Sequence, residues 1–559
     1  MEMSRISSRT AAVLAISLVT IVSSVARSSA PVRLTVVSTA DFHGALEPRR
    51  EKALEKRTVG GIDIISAYIN AIREQDPEGL ILLDGGDLYQ GTLLSAASEG
   101  RAVIDFYNEL RYDAAVVGNH DFDFGPIGFH SVASSAGEDP LGTIKARVAQ
   151  ARFPFLAANM VDTDTGRIPP WKNLAPYVVI ERKGVKVGIV GLTSPDTPLI
   201  TNPVNIKKLR FEPLVETARR YVREVRKKGA ATVIILVHAG IKRDPETGRP
   251  TGPVADLARE MNPGDVDLIV SGHSHVPFSD FVDGIGVVQA GAKGSSFARA
   301  ELVVDPASGR VLPGGVRLYP VTFFFRTNAR GGAPRFAGRL IRPLPHFARK
   351  LAQYKKTIKH LESVKLGIAL ATMPNRQRYD SAVGNVVTDA MLAAAPEADV
   401  AMYNSGGLRA PLRKGTITYA DVYEVVPFDN YMVVVTLTGE QLRSIIEYGL
   451  GSEYGVMEVA GLTVGVNPAG PAGGKCMWIK FSNGTMLEPL REYRVVTNDF
   501  VYRGGDGYVQ FAAGKDFKDT HRLVRDAFAE YVKKRKKLIA RGGRRYIVDA
   551  VANGGDAEK

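Results

Sequence analysis

Five short apolar runs in the first half of this chain each lead into residue types that bind metal ions. Residues 34–37 precede Asp41-Phe42-His43, residues 80–83 precede Gly85-Gly86-Asp87, and residues 114–117 precede Gly118-Asn119-His120-Asp121. Residues 233–237 run into His238, and residues 268–270 precede Gly272-His273-Ser274-His275. Runs of this length, rich in β-branched residues and leucine, have the pattern of buried parallel strands. In open α/β sheets, ligands collect just beyond the carboxyl ends of the strands. A chain that ends five such strands with Asp, His, Asn and His-x-His therefore points to an α/β fold built around one polynuclear metal site. Of the nine histidines, five fall in these segments. A single Asp-x-His or Gly-His-x-His carries little weight, but the five in order, each after a strand, carry a great deal.

Mixed carboxylate, imidazole and amide ligands suit borderline divalent ions such as Zn, Mn, Co or Fe better than Ca or Mg. A closed structural zinc site usually uses thiolates, and the single cysteine, Cys476, is far away in sequence. There are too many candidate ligands for one tetrahedron. Two ions sharing a carboxylate fit better, with Asp87 as the natural bridge, and such a pair can clamp a phosphoryl group and generate hydroxide at neutral pH.

The five segments resemble the signature of the calcineurin-like metallophosphoesterases, and in particular the two-domain 5′-nucleotidases. The resemblance implies a four-layer αββα sandwich followed by a smaller α+β nucleotide-binding domain. Carried over by motif, Asp41, His43, Asp87 and His275 would hold one divalent ion, and Asp87, Asn119, His238 and His273 the second. His120 would bind no ion. It would meet the reacting phosphate, oriented by Asp123, as a His–Asp pair usually fixes an imidazole tautomer.

The second half carries a matching set of phrases: Arg376 and Arg378 before Gly384-Asn385, then Asn404-Ser405-Gly406-Gly407-Leu408-Arg409, then Pro427-Phe428-Asp429-Asn430, then Thr497-Asn498-Asp499-Phe500 and Gly504-Gly505-Asp506-Gly507. In order, they resemble the 5′-nucleotidase C-terminal domain. Their chemistry is also readable directly. Phe428 and Phe500 can sandwich a base of any kind. Arg376, Arg378 and Arg409 can grip phosphate with a guanidinium fork. Asp506 can accept from ribose hydroxyls, and Asn404 and Asn430 can meet base or sugar edges. Ser405 and Ala460 depart from common family versions by small swaps. The broken segment 130–148, close after the catalytic loop, can reshape access and leaves substrate choice open.

At 559 residues the chain needs at least two cores. The pattern predicts a signal peptide over residues 1–30, a dimetal domain over 31–345, a solvent-washed linker helix within 346–365, a substrate domain over 366–549 and a polar tail over 550–559. Arg5 and Arg9, the apolar stretch of residues 11–25 and the small residues after it have a secretory layout. That layout, with no further apolar span and no cysteine after the apolar stretch, predicts a periplasmic or secreted protein without a lipid anchor. The net charge of +13 is spread out. The Lys533–Lys537 cluster follows apolar helical positions and reads as a solvated helix end, so no nucleic-acid polymer is expected as partner. The expected partner is a nucleotide: a nucleoside 5′-monophosphate, with UDP-sugars or 2′,3′-cyclic nucleotides as alternatives, hydrolysed by attack of metal-activated water on phosphorus.

Overall fold

In the computed structural model, the described residues are 30–548 apart from 52–53, 55–56, 129–130, 134, 376 and 540–544. The expected signal peptide, apart from Ala30, and the polar tail thus lie outside the described residues. Four of the five ligand-bearing runs form strands that extend one or two residues past an end of the run, and the third stops one residue short. The strands are β1 (Val32–Thr39), β2 (Leu80–Asp84), β3 (Ala114–Val116), β4 (Thr232–His238) and β5 (Leu268–Ser271). They do not share one sheet. Strands β1, β2 and β3 lie parallel in a seven-stranded sheet, and β4 and β5 lie parallel in a six-stranded one.

The two sheets stack face to face. Leu34 and Val36 of β1, with Ile81 and Leu83 of β2, meet Ile234 and Leu236 of β4 and Val270 of β5 in one buried cluster. The alternate residues of each strand face outward under helices. Val37, Leu80 and Leu82 pack beneath the Ile62–Gln75 and Arg101–Leu110 helices. Val233, Ile235 and Val237 pack beneath the Leu214–Lys227 and Pro253–Glu260 helices. The result is the four-layer αββα arrangement. It explains why these runs are apolar at every position but Thr35 rather than at alternate ones: both faces of each strand are buried.

The 345–362 region is a helix, α1 (Pro345–Glu362), but it is not washed by solvent on all sides. Phe347, Leu351 and Ile358 are buried in the core of the first domain, and Lys350 Nζ donates to Glu109 Oε2 at 2.8 Å. Its apolar positions face that core, and its many Lys and Arg cover the outer side.

The second half is built on a five-stranded sheet in the order Met457–Ala460, Val400–Asn404, Glu492–Asn498, Tyr431–Thr438, Lys515–Leu523. Period-two alternation divides it. Ala401 and Tyr403 pack under the helices Ala382–Ala394 and α3 (Val524–Arg535), while Val400 and Met402 pack under Gly439–Gly451. A short helix, α2 (Tyr419–Val425), belongs to this half, yet its Tyr423 is buried in the core of the first. Residues 533–537 are exposed at the end of α3, as a solvated helix end should be. Among the described residues, no helix is long and apolar enough to cross a membrane.

Candidate dimetal centre and nucleotide pocket

The loops after β1, β2, β3, β4 and β5 converge at one point where the two sheets meet. Two groups of candidate ligands stand side by side: Asp41, His43 and His275, and Asp87, His238 and His273. In the first, His43 Nε2 lies 3.1 Å from His275 Nε2, and His275 Nε2 lies 3.5 Å from Asp41 Oδ1. In the second, Asn119 Oδ1 lies 3.0 Å from His238 Nε2 and 3.1 Å from His273 Nδ1. One oxygen faces both groups: Asp87 Oδ2 is 3.3 Å from His238 Nε2 and 3.7 Å from His43 Nε2.

The backbone is bent to achieve this. Asp41, His43, Asp87, His273 and His275 all have positive φ, between 50° and 80°. Each such non-glycine residue costs on the order of 1–3 kcal/mol, a cost that persists where function demands the geometry. Two glycines make room. A Cβ on Gly118 would stand 2.2 Å from Asp87 Oδ1, and one on Gly86, at φ 93°, would stand 2.6 Å from His238 Nδ1.

The donor set fits divalent ions. Paired imidazole nitrogens facing each other at hydrogen-bond distance want a shared electrophile between them. Burial lowers the pKa of His43 and His275 well below the usual imidazole range and that of His273 to about 3, so these rings stay neutral with a lone pair to offer. Burial pushes Asp41 up to about 8. Burial also opposes the charge on Asp87 and His238, but their mutual attraction wins: Asp87 is held well below the carboxylate range and His238 rises to about 10. The second ring nitrogens of His43 and His238 are oriented by main-chain carbonyls. His43 Nδ1 lies 2.8 Å from the Gln90 carbonyl and His238 Nδ1 lies 2.7 Å from the Gly85 carbonyl.

His120 stands beside the clusters but in neither. Its Nδ1 lies 2.6 Å from Asp123 Oδ2, and Thr201 Oγ1 donates to the other Asp123 oxygen at 2.8 Å. Its backbone N–H donates to Asp87 Oδ1 at 2.8 Å. Asp121, in the same motif, is no part of either group. Its carboxylate accepts from Leu88 N at 3.0 Å and Gly118 N at 2.8 Å, tying two of the metal loops together.

One cavity joins this centre to the second domain. Its wall includes Asp87, Asn119, His120, His273 and His275 from the first half, and Asn404, Arg409, Phe428, Asn430, Phe500 and Asp506 from the second. The Phe428 ring lies 5.6 Å from that of His120, and the Arg409 guanidinium lies 5.8 Å from the Phe428 ring centre. Gly505 lets the Phe500 ring lie against its loop, since a Cβ there would stand 2.4 Å from the ring. Asn404 Nδ2 donates to Asp506 Oδ2 at 2.7 Å while Asn404 Oδ1 accepts from Asn498 Nδ2 at 3.0 Å, so Asn404 positions Asp506. Burial pushes Asp506 up to about 6. Arg378 is elsewhere: it is exposed and lines a second cavity with Ser405 and Lys475. Arg376 lies outside the described residues.

Several wall residues have no signal in the sequence. Gln90, Ser131, Asn202 and Tyr454 are common residue types at no diagnostic spacing, and they reach the cavity by tertiary folding alone. The Gln90 side-chain amide is buried, with no hydrogen-bond partner among the described residues at either end, and Asn202 Nδ2 likewise has none. Among the described residues, hydrogen bonds cross between the halves onto main-chain carbonyls of the Asp429 and Arg409 loops. Ser131 Oγ donates to Asp429 O at 2.7 Å, and Lys293 Nζ to Arg409 O at 3.0 Å.

Comparison with known proteins agrees with this geometry. Residues 34–277 match the calcineurin-like phosphoesterase family, and residues 358–513 match the 5′-nucleotidase C-terminal domain. The chain is 27% identical over 531 residues to a 5′-nucleotidase of Vibrio cholerae, covering 89% of this chain and 90% of that one. It is 28% identical to the trifunctional nucleotide phosphoesterase protein YfkN of Bacillus subtilis, but spans only 34% of that protein's length. Among solved structures, a 5′-nucleotidase precursor from Thermus thermophilus superposes with a TM-score of 0.78 at 28% identity, covering 92% of this chain and 99% of that one. With both domain matches in order on one chain, and a pair of candidate metal groups facing a pocket in the second domain, the protein belongs to the two-domain 5′-nucleotidase family.

Proposed function

We propose that the protein is an exported, two-metal phosphohydrolase that releases phosphate from nucleoside 5′-monophosphates. One observation carries this reading: a single cavity has Asp87, His273 and His275, drawn from both metal groups, with His120 on one wall and Phe428, Phe500, Arg409 and Asp506 on the other. A nucleotide with its phosphate at the first wall and its base at the second spans that cavity. Asp41, His43, Asp87 and His275 would hold one divalent ion, and Asp87, Asn119, His238 and His273 the other, with Asp87 shared. When bound, the pair supplies Lewis acidity to the phosphoryl oxygens and to the attacking water.

The chain's own residues do the rest. Asp123 takes the Nδ1 side of His120, which turns Nε2 toward the phosphoryl group to donate as negative charge builds in the transition state. Arg409 adds a fork for the phosphate oxygens. The unpaired amide of Gln90 and the unpaired Nδ2 of Asn202 are polar groups buried at a cost on the order of 1–3 kcal/mol each, which a bound substrate or its water offsets. Phe428 and Phe500 stack on the base without choosing among bases. Asp506, held by Asn404, accepts from the ribose, and Asn430 meets the sugar or base edge. UDP-sugars and 2′,3′-cyclic nucleotides fit the same two-wall scheme. The secretory layout at the amino terminus supports a periplasmic or secreted location.

A substrate panel tests the reading. It comprises AMP, UMP, ADP, ATP, a UDP-sugar, 2′,3′-cyclic AMP and p-nitrophenyl phosphate, with Mn or Zn added, read by phosphate and nucleoside release. Nucleoside monophosphates should turn over well above p-nitrophenyl phosphate. A protein that binds nucleotides without releasing phosphate under any of these metals would not be a hydrolase.

A further inference from the structure

We propose that Arg525 is a positioning residue for nucleotide recognition: it sets the loop that carries Phe428, and so makes the site selective for esters that bear a base. The inference rests on the functional reading above. Arg525 lies on α3, away from the cavity, and is buried at 5% exposure. Its guanidinium reaches three consecutive residues of one loop. Nη1 donates to the carbonyls of Pro427, at 3.3 Å, and Phe428, at 3.5 Å, and Nη2 pairs with the Asp429 carboxylate. The Nε donates to Tyr419 Oη at 3.3 Å, and the guanidinium lies over the Tyr423 ring at 4.4 Å.

These contacts connect two places that a nucleotide must also connect. Tyr419 and Tyr423 belong to α2, and Tyr423 is rooted in the core of the first domain, which holds the metal groups. The loop at the other end presents Phe428 to the cavity, and its Asp429 carbonyl meets Ser131 of the first domain. Arg525 thus registers the stacking ring against the domain where the phosphate reacts. Stability alone does not account for an arginine here. A buried ion pair roughly breaks even against an apolar filler of similar size. The fork adds fixed geometry onto several acceptors at once, which lysine does not reproduce.

The test uses the full chain loaded with metal, and three variants: Arg525→Lys, Arg525→Met and Asp429→Asn. Measured quantities are kcat and KM on AMP and on p-nitrophenyl phosphate, equilibrium binding of adenosine by calorimetry, and melting temperature. Arg525→Lys and Asp429→Asn should each raise KM for AMP by roughly 5- to 100-fold, the range that loss of base stacking allows. Adenosine binding should weaken by the same factor, with a much smaller change on p-nitrophenyl phosphate. Because both residues act through one loop, combining Arg525→Lys with Asp429→Asn in one further variant should lose less than the two single losses combined. If Arg525→Met fails to fold, the other two variants carry the test. Equal losses on AMP and p-nitrophenyl phosphate, or unchanged adenosine affinity in well-folded variants, would overturn the positioning role. If the wild-type protein hydrolyses no nucleotide, the functional reading fails instead, and adenosine binding still decides the role of Arg525.

Discussion

Asp87 and His120 are neighbours joined by one hydrogen bond, yet their substitution should fail in different ways. Asp87→Asn should lower occupancy of both ions together and reduce turnover at least ~100-fold. His120→Ala should keep the metal content of the wild type and still lose roughly 100-fold in kcat. Elemental analysis beside kinetics separates the two, and an ion missing from His120→Ala would make it a ligand. Asp506 gives a pH signature. Its carboxyl is raised from the ordinary 3.8 to about 6 by burial. Between those values the folded protein keeps a proton that the unfolded chain has released, so stability falls as pH rises through that window. At pH 7 the buried charge then costs about 2–3 kcal/mol, because each tenfold change in proton affinity is worth about 1.4 kcal/mol. Asp506→Asn should therefore melt higher than wild type at pH 7.5, with the gain gone near pH 4, while nucleotide binding weakens. A gain that persists unchanged at pH 4 would point to packing, not ionisation.

At the scale of elements, the strands are the legible part. Both faces of β1 to β5 are buried along most of their length, so the runs within them are apolar except for Thr35. The residues that end them are chemically rare, and five of nine histidines in one pattern cannot hide. The division of these strands between two sheets is not written in the runs themselves, because a strand of the seven-stranded sheet reads like a strand of the six-stranded one. The helix α1 shows the same limit. Its charge suggests solvent, but Phe347, Leu351 and Ile358 sit on one face and find a core only once the fold exists. Loops are legible where they carry a phrase and silent where they do not. Ser131 and Tyr454 reach the cavity on segments of ordinary composition. The Phe428 and Phe500 loops yield a direct expectation. Alanine at either position should weaken nucleotide binding by about 1–3 kcal/mol and affect p-nitrophenyl phosphate far less. Equal effects on both would make these rings part of the core.

For the whole molecule, a cavity with one wall on each domain implies that substrate entry and product exit require the walls to part. The crossing hydrogen bonds at Ser131 and Lys293 are polar, which suits an interface that opens, while Tyr423 of α2 keeps an apolar anchor in the first core. The exposed Leu199 and Val509 flank a second crossing, where the Thr197–Ile200 helix touches the Gly505–Gly507 turn. Leu199→Cys and Val509→Cys joined by a short bifunctional reagent should stop steady-state turnover, and cleavage of the linker should restore it. The native Cys476 is buried, and burial raises its thiol to about 11, so it stays silent toward the reagent. Full turnover in completely linked protein would rule out opening. The split of the strands between two sheets has a consequence of its own. Asp41, His43, Asp87 and Asn119 hang from one sheet, and His238, His273 and His275 from the other. Any ion held between them is a rivet through the sandwich, and its binding energy goes into keeping the layers together. Stripping the ions with a chelator should therefore lower the melting temperature and speed amide exchange first along that seam, well before the outer helices or the second domain respond.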